Sequence, residues 1–85
     1  MDISTRHIPE DDSRLISESR LVCVEDKHGW FIWVPEREEI REICEESGLS
    51  ANLVAILEIA HVHGCPLVWV SGNGPEYEDL DFFNW

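Results

Sequence analysis

The residue types best suited to chemistry lie in the stretch HVHGC, where His61, His63 and Cys65 supply the imidazole and thiolate groups that bind zinc. His7 or His28 would be the fourth ligand. The spacing works against such a centre: side chains two residues apart on a helix point roughly 200° from each other, so His61 and His63 converge only if the helix has unwound by His63. A histidine pair near the negative end of a helix dipole is the simpler reading, and no motif calls for a metal or other cofactor. For nucleophilic catalysis the candidates are Cys23, Cys44 and Ser13 with a histidine. None of them lies in a recognisable nucleophile elbow or at a helix start that would activate it, so no enzyme is expected. Ser71 to Pro75, SGNGP, has the glycines of a phosphate cradle but no Lys, and acidic residues follow it, so it reads as a turn. His7, beside Thr5, reads as a hydrogen-bonded structural histidine.

The stronger constellation is acidic. Glu38, Glu39, Glu42, Glu45 and Glu46 fall on one arc of a predicted helix, opposite a narrow apolar stripe of Ile40, Ile43 and Cys44. Along that arc carboxylates recur every three or four residues, about 5 to 6 Å apart along the axis. Glu76, Glu78, Asp79 and Asp81 form a second acidic run near the C-terminus. A run of glutamates on a helix is often just a solvated face. Two such runs together nevertheless make an anionic surface like a nucleic-acid backbone in sign, though sparser in charge, and its natural complement is a basic protein groove. These nine carboxylates are the candidate partner-binding residues.

Overall charge points the same way. The 85 residues carry a formal net charge of -12, and residues 42 to 85 contain eight Asp or Glu and no Lys or Arg. Direct binding to nucleic acid or to an anionic membrane is therefore disfavoured, because both need clustered cations. A hydrophobic content of 44% with four Trp separates the chain from disordered acidic segments. The length suits one small domain, residues 1–85, of the size that often gains stability from a partner. Three cysteines without a CxxC pair read as reduced core thiols. With no signal-like segment and no apolar run of membrane-spanning length, a cytoplasmic protein is expected.

The elements that must position these residues follow from periodicity. Arg20 to Pro35, RLVCVEDKHGWFIWVP, reads as a β-hairpin: Leu21 to Val24 and Trp30 to Val34 are apolar runs of strand length separated by the turn-prone Asp26 to Gly29. Its second strand is apolar on both sides, Trp30, Ile32 and Val34 opposed to Phe31 and Trp33. It is therefore expected to be covered on both faces, with Trp33→Ala costing about 3 to 5 kcal/mol. Before the hairpin, Met1 to Pro9 is a lead-in with a strand through Ile3 and Ile8, and Pro9 with Glu10, Asp11 and Asp12 opens a first helix that runs to about Ser17. After it, Pro35 and the glutamates open a second helix that Ser47-Gly48 closes. Ser50 caps a third, the most apolar, with Leu49 able to pack on Val54, and this helix ends at Gly64. Cys65 to Val70 is a second interior strand apolar on both sides, and Leu80 to Trp85, LDFFNW, a short edge strand. Cys23, Cys44 and Cys65 then fall in a strand, on a helix and before a strand.

Taken together, STRHIP at the start, GWFIWVP in the hairpin, AHVHGC at the helix exit and LDFFNW at the end resemble, over nearly the whole chain, a small uncharacterised family found on bacterial plasmids, integrative elements and prophages. In that family the strand after the core helix is commonly followed by an Asp-rich turn. Here that turn is SGNGP, and the closing aromatic-Asp-Trp is Phe83-Asn84-Trp85, so no role of the turn transfers. The resemblance implies an α+β fold and a mobile-element setting, and no activity. The expected architecture is two-layer α+β: a small, mostly antiparallel sheet of about four strands with two to three helices. The expected function is that of a non-enzymatic inhibitor from a phage or other mobile element, which occupies a basic nucleic-acid-binding surface of a host defence complex, as anti-CRISPR or anti-restriction proteins do. The alternatives are a homodimeric assembly module that buries spare apolar sheet surface, and a small metal-binding protein using His61, His63 and Cys65.

Overall fold

Gly29 begins the central strand because nothing larger fits: a Cβ built there would lie 1.7 Å from the carbonyl oxygen of Val70 on the neighbouring strand. The computed structural model describes residues 1–78 and 80–83. Its strands are β1 (Asp2–Ser4), β2 (Cys23–Asp26), β3 (Gly29–Trp33) and β4 (Leu67–Ser71), and its helices α1 (Glu10–Glu18), α2 (Arg37–Ser47) and α3 (Ala51–Val62). They form one four-stranded sheet in the order β1-β4-β3-β2 with the helices packed against it, an α+β fold. β2/β3 and β3/β4 are antiparallel, and β1 lies parallel to β4 at the edge.

Local chemistry sets the helix ends. Ser50 accepts a hydrogen bond from the Leu53 backbone N–H at the start of α3. Gly48, at φ 75°, closes α2, and the Leu49 N–H returns to the Cys44 carbonyl at 2.9 Å. α3 contributes Leu53, Val54, Ile56, Leu57 and Ala60 to the core, as expected of the most apolar helix. The sheet supplies Ile3, Ile32, Val68 and Val70, which the pairing register places on one face.

That register overturns one expectation. β3 and β4 are covered on one face only. Phe31, Trp33, Leu67 and Trp69 point away from the helices, with Trp33 44% exposed. The physical reason is that the helices pack on the side carrying the buried isoleucines and valines, and among the described residues no element forms a third layer. Trp33→Ala is accordingly expected to cost about 1 kcal/mol, near the average of single substitutions and well below a core deletion, and a denaturant midpoint would check it.

Two smaller corrections concern the ends. The first strand stops at Ser4, because Thr5–His7 turns as a 3₁₀ helix, so Ile8 lies outside it. Leu80 to Phe83 adds no strand. It folds back over the 3₁₀ turn instead, with the Phe83 N–H bonded to the Arg6 carbonyl at 2.7 Å, while Asn84 and Trp85 lie outside the described residues.

Candidate functional site

The carboxylates of α2 are solvent-exposed along its outer side, while Ile40, Ile43 and Cys44 anchor its inner side in the core. At about 100° per residue, Glu38, Glu42 and Glu45 fall within roughly 60° of arc and make a ridge about 10 Å long. On either flank the charge is met. Arg41 reaches Glu58 of α3 at 3.5 Å, and Arg20, from the segment between α1 and β2, pairs with Glu46. The hydrogen bond and charge of Glu46, reinforced by Glu42 and Glu39, hold the Arg20 guanidinium even more firmly protonated than usual. Between these flanks Glu38, Glu42 and Glu45 form no direct ion pair among the described residues, although Glu42 lies within the field of Arg20. Carboxylates left unmatched at helical spacing are what a basic surface would recognise.

The second acidic run is arranged differently. Glu76 pairs with Arg6 at 3.1 Å, and Asp81 accepts from the Asn52 side-chain amide at 3.0 Å. Glu78 is exposed, and Asp79 lies outside the described residues. The run is held by His7, which is buried: its Nε2 accepts the Tyr77 backbone N–H at 2.8 Å, so Nδ1 carries the proton and donates to the Asp81 carbonyl at 2.9 Å. Phe82 lies against the ring at a centroid distance of 4.7 Å. His7 is thus the structural histidine its sequence context suggests. It clasps the C-terminal segment onto the domain, and part of that run's charge serves the clasp.

The histidines and cysteines do not converge. His61 is in the last turn of α3, and His63 is an exposed cap residue. Cys65 follows the helix, with its thiol 3.9 Å from the His63 carbonyl. Among the described residues no group of three or more His, Cys, Asp or Glu is placed to hold a metal ion. All three cysteines are free thiols, and Cys44, chiefly through burial and then through Asp12 and Glu58, has its pKa pushed up to about 11. Burial and Glu25 push the Cys23 thiol up as well. A thiol so disfavoured as thiolate is a poor nucleophile.

The sheet has one open apolar face, the spare sheet surface of the alternative reading, where coverage on both faces is the main expectation. On the open face of the sheet the register aligns Val24, Phe31 and Trp69 in one row and Trp33 with Leu67 in the next; Val22, whose carbonyl accepts the Trp33 N–H, lies beside that second row. Phe31 and Trp69 stack at 4.0 Å, Val22 is 68% exposed and Val24 52%. The signal was present in the two-sided apolar strands, but parity cannot say which side meets water.

No helix among the described residues is long and apolar enough to cross a membrane. In comparisons with known proteins, residues 1–85 match a family model described as a family of unknown function (DUF5983), C-terminal domain. No curated protein and no solved structure matches the chain.

Proposed function

We propose, from the premise that this chain belongs to the DUF5983 C-terminal domain family, whose function is unknown, that it is a non-enzymatic binding protein whose acidic α2 ridge occupies a basic, nucleic-acid-binding surface of another protein. The observation that carries this reading is the ridge of Glu38, Glu42 and Glu45, exposed and, among the described residues, without direct ion pairs between two ion-paired flanks. Such a ridge presents negative charge in a line, as phosphates do, on a rigid scaffold. The net charge of -12 extends the field, steers association with a cationic target and repels nucleic acid itself. In this proposal the target is a host defence complex and the setting a phage, plasmid or integrative element, so the protein acts as an inhibitor of the anti-CRISPR or anti-restriction kind. The cytoplasm is where such a target resides.

Reversing Glu38, Glu42 and Glu45 to Lys tests the reading. These residues lie opposite the buried stripe, so the circular dichroism spectrum and melting temperature should persist while partner binding is lost. Single exposed pairs contribute only about 0 to 1 kcal/mol, so the loss requires the three to act together. Glu78→Lys is the matching control in the second run, since Glu76 and Asp81 are already engaged. A triple variant that binds as well as the parent, with unchanged salt dependence, would leave the ridge as a solvated face.

A further inference from the structure

We infer that His7 is a pH-sensitive clasp: in its neutral form it holds the C-terminal strap, residues 75–78 and 80–83, against the domain, and a second proton on its ring releases that strap. Geometry makes the two states exclusive. The ring is 1% exposed, its Nε2 accepts the Tyr77 N–H at 2.8 Å, and its Nδ1 donates to the Asp81 carbonyl at 2.9 Å. A proton on Nε2 turns that acceptor into a donor aimed at another donor, and burial denies both N–H groups a water to bond instead. Only one neutral tautomer closes the clasp.

Little else holds the strap. Tyr77 and Phe82 are exposed, and of its described residues Leu80 packs against the core. Its other bonds are polar and mostly at the surface: Glu76 to Arg6, the Tyr77 hydroxyl to the Asp2 carbonyl, the Asn52 amide to Asp81, and the Phe83 N–H to the Arg6 carbonyl. Segments held in this way open locally at low free energy. The start of the strap is fixed more firmly, because the Ser4 N–H donates to the Pro75 carbonyl at 2.9 Å and a Cβ on Gly74 would lie 2.3 Å from the Ile3 carbonyl oxygen. Release therefore begins beyond Pro75. It frees the Glu76 and Asp81 carboxylates, and it removes Tyr77 and Leu80 from the wall of a cavity of about 480 Å³ that they line with Met1, Ile59, His63 and Cys65.

The charged groups around the ring are engaged elsewhere. Glu76 pairs with Arg6, on the turn that carries His7, and the Asp81 carboxylate bonds to Asn52 of α3. The Met1 ammonium donates to the Leu67 carbonyl, and His63 is exposed beside the same cavity. Both ring nitrogens are taken by backbone groups, so neither carboxylate bonds to the ring to favour its charged form. The open form thus binds one more proton than the closed form. Falling pH favours opening, by up to about tenfold per pH unit, through the range in which a histidine takes its proton.

Nitrogen NMR of the purified full chain, from about pH 8 to about pH 5, tests this. The expected result at high pH is a His7 ring protonated on Nδ1 alone. As pH falls and the ring gains its second proton, the Tyr77 and Phe83 amides should lose exchange protection in step, at least about tenfold, while the amides of β3 and β4 keep theirs. His7→Gln, neutral throughout, should abolish this pH dependence, and His63→Gln should leave it unchanged. A strap that stays protected at low pH would overturn the inference, as would one whose opening keeps its pH dependence in His7→Gln, or a loss of protection across the whole sheet at the same pH.

Discussion

Replacing Asp12 with alanine is expected to destabilise the domain by about 3 kcal/mol, although Asp12 looks like an ordinary helix-start acid. Its side chain, 1% exposed, accepts hydrogen bonds from both the backbone N–H of Ser50, at 2.9 Å, and the Ser50 hydroxyl. That hydroxyl in turn accepts the Leu53 N–H at 3.3 Å. Asp12 on α1 thus fixes the cap of α3, the helix that supplies much of the core. Removing the carboxylate leaves a poorly solvated N–H and hydroxyl without their acceptor and frees the cap to rotate, so the loss exceeds that of a simple cap deletion, about 1 kcal/mol. Asp12→Asn keeps one acceptor oxygen and should cost about half as much. Ser50→Ala, which strands the carboxylate instead, should approach the alanine value at Asp12. Chemical denaturation of the three variants would check the ordering, and equal, small losses would mean that the Asp12 carboxylate is not holding α3.

Gly29→Ala is expected to be at least as damaging, at about 3 kcal/mol or more, the upper range of overpacking costs. The added Cβ would fall 1.7 Å from the Val70 carbonyl oxygen and 2.9 Å from the Ser71 Cα, and both are backbone atoms that no rotamer change can move. β3 would have to part from β4 at its first residue, or the hairpin would have to shift. Because β3 pairs with both β2 and β4, that damage reaches the whole sheet. An unfolding midpoint close to that of the parent would mean that the strand can move aside. By contrast Gly64, whose Cβ would meet nothing within 4 Å, restricts substitution only through its φ of 70°.

What was legible in the sequence follows the range of the interactions involved. Ser50 as a cap, Gly48 and Gly64 as helix stops, and the amphipathic pattern of α2 are settled within a turn or two of chain, so their residues announce them. The ridge of Glu38, Glu42 and Glu45 was readable for the same reason. Its flanks were not, because Arg20 and Glu46 are 26 residues apart and meet only through tertiary structure. Asp12 read as a dipole-stabilising acid, since its partner lies 38 residues away. His7 suggested a structural role, but its partners Tyr77 and Asp81 are 70 and 74 residues distant. The open sheet face was misread as buried for a different reason. Along β3 every residue from Trp30 to Val34 is apolar, so alternation carries no information, and only the number of layers the chain can build decides which parity faces water.

If the α2 ridge competes for a nucleic-acid site, its partner must be displaced by nucleic acid. The most direct measurement is capture from host lysate on immobilised protein, followed by elution with duplex or single-stranded nucleic acid and with salt, in parallel with the Glu38, Glu42, Glu45→Lys variant. The expected result is a captured nucleic-acid-binding protein that nucleic acid displaces, that elutes earlier as salt rises, and that the variant fails to retain. A captured partner that nucleic acid does not displace, and that parent and variant retain equally, would contradict it.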